Sequence, residues 1–221
     1  MAKANGRNPV GASVYSKTSL LLYDALVHWF SNNWIWNCQR FHLANYYQRS
    51  FSSEHLEIGI GSGRLLGHLS KEYHFDRLVI GDVNDDCLAF ASKVLGKRLH
   101  TAIRLNLLER SSKWPHVGRF GSIGFNYVLH CLPIDFAAKL RIMDQLIDRF
   151  LSKEGVLVGS TILPGCRSAW LSNRVMRFYN QKGIFSNEND SLPELKAWIQ
   201  ARGNQSEWKI VGDVAIFRVI A

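Results

Sequence analysis

Four residues at alternate positions carry the first chemical signal in the chain: Glu57, Gly59, Gly61 and Gly63. They begin in a short apolar run and give way to helix-forming residues at Leu65, so the stretch reads as strand, tight loop and helix start. Glycine lacks a Cβ and tolerates positive φ, which lets such a loop bring its backbone against a ligand, while the helix that follows presents unpaired N–H groups. A loop that cradles a pyrophosphate needs G-x-G-x-x-G. Counted from Gly59, the last glycine position falls on Arg64; counted from Gly61, it falls on Leu66. Neither register suits a dinucleotide, and the triplet alone is also compatible with a glycine-rich turn that holds nothing.

Asp82 adds a second signal. It closes the next apolar run about 20 residues after the last glycine, the distance at which an acidic side chain accepts both hydroxyls of a bound ribose. The competing reading makes Asp82 a helix cap, but Asn84 and Asp85 are better placed for that job.

The elements that must position these residues alternate between strand and helix. Strands are expected at 56–60, 77–83, 102–105, the first part of 120–133 and 156–162, with Lys153-Glu154-Gly155 as the turn into the last of these. Cys87, Leu88, Ala91, Val94 and Leu95 form one amphipathic helical face, and Met143, Leu146, Ile147 and Phe150 form another, capped by Asp135. A helix over 167–182 leads into Gly183-Ile184-Phe185-Ser186-Asn187, a loop able to overhang a substrate. Ser191 and Glu194 make a capping box, and Gly212-Asp213 is a two-residue hairpin turn between apolar runs at 208–211 and 214–220. In an open parallel sheet, ligands collect at the C-terminal edge between the first and fourth strands. That edge carries Asn126, Tyr127 and His130.

Ahead of the first strand lies an aromatic-rich stretch. Leu22, Leu26, Trp29 and Phe30 fall at helical spacing, Ser31-Asn32-Asn33 breaks the pattern, and a second helical piece runs through 41–47. Residues 1–13 read as a loose tail, 14–50 as a helical cap and 51–221 as the core of one domain, since 221 residues suit a single α/β unit.

Bulk properties narrow the field. With 47% hydrophobic and 20% charged residues the chain is globular. No apolar run reaches membrane-span length and the first residues lack the apolar core of a signal peptide, so a cytoplasmic protein is expected. The four cysteines form no C-x-x-C pair, which argues for reduced thiols and against zinc or disulfides. A formal charge of +9 admits a nucleic-acid partner, but Lys and Arg are scattered with no run longer than Lys97-Arg98, which disfavours one. Oligomeric state is left open.

The E-x-G-x-G-x-G at Glu57 to Gly63, Asp82, Asn106, the fourth-strand edge and the closing hairpin together resemble the class I S-adenosylmethionine (SAM) dependent methyltransferases. The strings FNYVLHCLP and, from Tyr23 to Cys38, YDxLVHWFSNxxIWNC resemble a branch of small O-methyltransferases from bacterial and fungal natural-product pathways, including those acting on polyketide α-pyrones. The resemblance implies an α/β, Rossmann-like fold with a seven-stranded sheet in the order 3-2-1-4-5-7-6, the last strand antiparallel. It implies SAM held by Glu57, Gly59, Gly61, Gly63, Asp82, Asn126 and the pair Asn106 and Leu107, the latter two against adenine. Asn106 as an ordinary turn residue weighs equally. The cap would bring Tyr15, Tyr23, His28 and Trp29 to the cleft, with Tyr127 as a further substrate contact.

His130 would be the base or hydroxyl anchor, with His28 second; a structural, hydrogen-bonded His130 is an equal alternative. Enzymes that methylate a base amine or an amide carry N-P-P-Y or D-P-P-Y where this chain has Asn126-Tyr127-Val128-Leu129, which counts against those acceptors. The edge offers no carboxylate of the kind metal-dependent catechol enzymes use, so no metal is expected. The implied reaction is methyl transfer to an enolic or phenolic oxygen of a small secondary metabolite. A methyltransferase fold that steers polyketide cyclisation without methyl transfer, or an enzyme acting on RNA or protein, are the alternatives.

Overall fold

The computed structural model describes residues 35–166, 170–203 and 205–221. Of the expected cap, only the segment from Ile35 onward falls within it; Tyr15, Tyr23, His28 and Trp29 lie outside the described residues.

The described chain runs α1 (Arg40–Gln48), β1 (Glu54–Ile58), α2 (Arg64–Leu69), β2 (Arg77–Asp82), α3 (Asp85–Leu95), β3 (Thr101–Arg104), β4 (Phe120–Asn126), α4 (Phe136–Phe150), β5 (Leu151–Ile162), α5 (Trp170–Gln181), α6 (Leu192–Gln200), β6 (Glu207–Val211) and β7 (Val214–Ile220). The seven strands form one sheet in the order β3-β2-β1-β4-β5-β7-β6. β1 to β5 are parallel where they pair, β7 runs antiparallel to β5, and β6 closes the hairpin. This is the topology expected from sequence.

Helices cover both faces because the strands are apolar on both. Period-two alternation sorts the side chains: in β2, Val79 joins a core with Met143, Leu146 and Phe150 of α4 and Leu195 of α6, while Leu78 and Ile80 join one with Leu43 of α1, Leu66 of α2 and Ala91 of α3. Local signals start the helices where they should. Asn84 caps α3 by accepting from the Asp86 amide at 2.8 Å, Asp135 caps α4 by accepting from Ala138 at 2.7 Å, and Ser191 caps α6 by accepting from Glu194 at 3.3 Å.

Two boundaries differ from expectation. β1 begins at Glu54 and ends at Ile58, two residues earlier at each end, because Gly59 already turns into the loop at φ 69°. β5 begins at Leu151, where a turn was expected at 153–155. The pairing slips from Phe120↔Leu151 to Ser122↔Val156, so those residues bulge out of a continuous strand with Glu154 at φ 62°. The chain terminus secures the bulge, since Glu154 N–H donates to Ala221 and Ala221 N–H to Gly155.

Candidate active site

At the C-terminal edge of β1 to β4 the chain leaves a cleft with about 140 Å³ of cavity volume, and about 850 Å³ of atom-free space once its open mouth is included. Its floor is the β1–α2 loop, where the three glycines do three different jobs. Gly59 sits at φ 69° with Val128 so close that a Cβ would lie 2.2 Å from Val128 Cγ2. Gly63 lets α2 start against α3, where a Cβ would lie 2.8 Å from the Ala91 Cβ. Gly61, at φ 53°, has nothing within 4 Å of its would-be Cβ among the described residues, and it lines the cleft. Of the three, the middle glycine is therefore the one that faces space the described residues leave open.

Asp82 lines the same cleft and braces this loop. One carboxylate oxygen accepts from Gly61 N–H at 3.1 Å and the other from Asn84 N–H at 2.9 Å. Burial pushes its pKa above the usual aspartate value, and the amides of Asn84, Gly61 and Val83 pull it partly back. The β3 end supplies the next wall. Asn106 and Leu107 line the cleft, in a loop held by the Asn106 side chain accepting from Leu108 N–H at 3.0 Å and by Trp114 Nε1–H donating to the Asn106 carbonyl at 3.0 Å.

The opposite wall is mostly apolar: Tyr127, Val128, Cys131, Leu132 and, from the loop after α5, Ile184. Tyr127 turns the chain off β4 with φ 55°, an uncommon conformation for a non-glycine residue. Its hydroxyl is buried against the Cys38 thiol, and burial drives its pKa well above the usual tyrosine value. Burial likewise pushes Cys38 up to about 11 and Cys131 up to about 12, so both are thiols at neutral pH.

Loop 183–191, which carries Ile184, is pinned rather than loose. Ser186 N–H donates to the His130 carbonyl at 2.7 Å; Asn187 donates its amide to Ile162 O at 2.9 Å and shares two hydrogen bonds with Asn180. Below it, the fully buried Lys139 ammonium donates to both oxygens of Asp190 at 2.7 and 2.9 Å and to the Ser186 carbonyl. Burial pulls the Lys139 pKa below the usual lysine value and raises Asp190 to about 6, each against the pull of its partner.

Several expected site residues are placed elsewhere. Glu57 is buried behind the loop, and Asn126 is buried beside it; neither lines the cleft. Glu57 accepts from Tyr47 and His55, and Asn126 bonds Tyr47 and Ser160. The reason is strand alternation: Glu57 shares the face of His55, opposite Leu56 and Ile58, and turns under α1. His130, expected as base or anchor, is 3% exposed. Its Nδ1 lies 3.3 Å from Ile162 N and 3.4 Å from Thr161 Oγ1, and its ring stands edge-on to Phe185 at 4.5 Å. These contacts tie it to β5 and to the loop after α5. Tyr47 is the residue that sequence reasoning missed; it read only as one more aromatic on a helix face.

The described cleft thus combines an open glycine backbone, a carboxylate at the end of the next strand and a polar–apolar pair on the third. That donor set fits a nucleoside. No protein-family model matches the sequence. Methyltransferase ctvB of Aspergillus terreus is 30% identical to this chain over 210 residues, covering 92% of this chain and 91% of that protein. The chain belongs to the class I SAM-dependent methyltransferases. Among its relatives is the demethylluteothin O-methyltransferase of Streptomyces thioluteus, 27% identical over 191 residues, covering 84% of this chain and 80% of that one. Among solved structures, PigF with SAH superposes with a TM-score of 0.67 at 16% identity, covering 99% of this chain and 64% of that chain. Members of this family transfer the methyl group of SAM, and no helix among the described residues of this one is long and apolar enough to cross a membrane.

Proposed function

We propose that this methyltransferase moves the SAM methyl group to an enolic or phenolic oxygen of a small secondary metabolite, a polyketide by the kinship of its relatives, and does so in the cytoplasm. The reading treats 1–221 as one domain, with residues 14–50 as the cap that selects the acceptor. One observation carries the choice of acceptor. The described cleft residues offer Asp82 as their carboxylate, and Cys131 and Tyr127 are held neutral by burial. Such a lining favours an acceptor that brings its own acidity, as an enol or phenol does and an alkyl alcohol does not.

The cofactor supplies a sulfonium methyl that is already a strong electrophile. What remains for the chain is to bind, orient and exclude water. Asp82 is suited to accept the ribose hydroxyls, Gly61 to let the backbone approach the amino-acid end, and Asn106 with Leu107 to flank adenine. Tyr127, Val128, Leu132 and Ile184 present an apolar wall on which a flat, partly apolar acceptor can lie. His130 shapes that wall from behind by holding loop 183–191.

The test is product analysis after incubation with methyl-labelled SAM and 4-hydroxy-6-methyl-2-pyrone, in parallel with a matched primary amine and total RNA. Label in an O-methyl product is expected. Label only in the amine or the RNA, or none in any acceptor despite SAM binding, would overturn it.

A further inference from the structure

A chain of buried hydrogen bonds runs behind the cleft and ends on one carboxylate. Ser52 N–H donates to Ser122 Oγ at 2.9 Å, and Ser122 Oγ lies 2.7 Å from His55 Nδ1. His55 Nε2 lies 3.0 Å from Glu57 Oε2. From the other side, Ser160 Oγ–H donates to Asn126 Oδ1 at 3.0 Å, Asn126 Nδ2–H donates to the Tyr47 oxygen, and Tyr47 O–H donates to Glu57 Oε1 at 2.6 Å. On one arm His55 Nε2–H donates to Glu57 Oε2 while Nδ1 meets Ser122 Oγ, which also accepts from the Ser52 amide. Asn126 accepts from Ser160 through Oδ1 and so presents its NH₂ to Tyr47, whose own proton must then go to Glu57. Both arms converge on Glu57, which accepts at each oxygen.

The sheet makes room for this convergence. In β4, facing Glu57, stands Gly124, where a Cβ would lie 1.8 Å from Glu57 Oε2 and 2.9 Å from the Tyr47 hydroxyl. Ser122, His55, Glu57, Tyr47, Asn126 and Ser160 are all buried, so the chain has no surface role. Burial and the adjacent Glu57 carboxylate drive the Tyr47 pKa well above the usual tyrosine value, which keeps its proton on the hydroxyl that bridges the two arms.

The position of the bridge matters. The β1–β4 ladder ends at Ile58↔Phe125, and beyond it the two chains part to form opposite walls of the cleft. Glu57 lies two residues before Gly59 on one side; Asn126 lies immediately before Tyr127 on the other. Tyr47 comes from α1, outside the sheet, and its one oxygen joins both. We propose that Tyr47 is a positioning residue: its hydroxyl couples the cofactor loop after β1 to the Tyr127 corner after β4 and so sets the separation of the cleft walls. It touches neither cofactor nor acceptor. This rests on the reading of the cleft as the SAM site.

The experiment measures SAH affinity of the full chain by calorimetry at a temperature where every variant is folded, for wild type, Tyr47→Phe and Trp198→Phe. In Tyr47→Phe the ring packing stays and only the bridge is removed, whereas Trp198→Phe cuts the bond from Trp198 Nε1–H to Asp144 at 2.8 Å, between α6 and α4, neither of which lines the cleft. The expected result is at least tenfold weaker SAH binding in Tyr47→Phe and unchanged binding in Trp198→Phe, although both melt lower than wild type. SAH affinity within twofold of wild type in Tyr47→Phe, or an equal loss in Trp198→Phe, would overturn the positioning role. No SAH binding by wild type would instead remove the site assignment itself. Should Tyr47→Phe fail to fold, Asn126→Asp, which keeps size and the Ser160 bond while removing the NH₂ donor, replaces it with the same expectation and the same overturning result.

Discussion

The two rims of the cleft are held in place by different means. On the side of β1 to β3, most of the work is done within single turns: Gly61 leaves the backbone open, and Asn84 and Asn106 hold their own turns with their own side chains, with Asp82 reaching back 21 residues to brace the glycine loop. On the side of β4, β5 and loop 183–191, the links join residues far apart in sequence, such as Lys139 with Asp190 and Asn187 with Ile162. A rim built from local geometry is suited to an unchanging ligand, the cofactor. A rim set by tertiary pins can be reshaped by changing the pins, which suits the partner that differs between relatives.

The contrast breaks first at Lys139. Lys139→Met removes the buried cation and leaves Asp190 buried without it, and about 3–5 kcal/mol of stability should be lost in urea unfolding. Replacing both partners, Lys139→Met with Asp190→Leu, should recover most of that loss. If the single variant is within about 1 kcal/mol of wild type, the second rim is not held by this pair.

Next comes the glycine loop, where two neighbours should respond differently. Gly63→Ala forces a Cβ to 2.8 Å from Ala91 and should cost about 1–3 kcal/mol of stability. Gly61→Ala meets no atom of the described residues, so its stability cost should be the smaller, while its effect on SAH affinity should be the clearer, about tenfold or more, corresponding to about 1.4 kcal/mol. Equal thermal and binding responses at the two positions would dissolve the distinction between packing glycine and ligand-facing glycine.

The smallest expected effect is chemical. Raised pKa values near 11 for Cys38 and 12 for Cys131 mean that lowering pH further below those values only depletes an already scarce thiolate. At pH 8 the thiolate fraction at Cys38 is on the order of one in a thousand, so labelling of the folded chain by a disulfide reagent should be slow and should quicken about tenfold per pH unit up to that range. Rapid labelling of either thiol at pH 8 would contradict the dry, neutral character given to the acceptor rim.

The same division governs what could be read from the residues alone. Helix caps at Asn84, Asp135 and Ser191, the Gly212-Asp213 hairpin and the strand order are local signals or follow from the family topology, and the structure has them. The start of β5 is not legible locally because its bulge exists only against β4 and Ala221, neither of which is near it in sequence. Glu57 and Asn126 read from the sequence as cofactor residues, and their link to the Tyr47 hydroxyl forms only once α1 has packed across β1 and β4. Alternation in His55-Leu56-Glu57 did hold the clue that Glu57 shares a face with a histidine. His130 carried no such clue, since Phe185 and Ile162 reach it from other elements.

Calorimetric titration of SAH into the intact chain, wild type and Asp82→Ala side by side, tests the centre of this account most directly. It predicts one site per chain in wild type and affinity about 100-fold weaker in the variant, about 2.7 kcal/mol, in keeping with loss of two hydrogen bonds to a charged acceptor. Absence of binding in wild type, or equal affinity in the two, would contradict it.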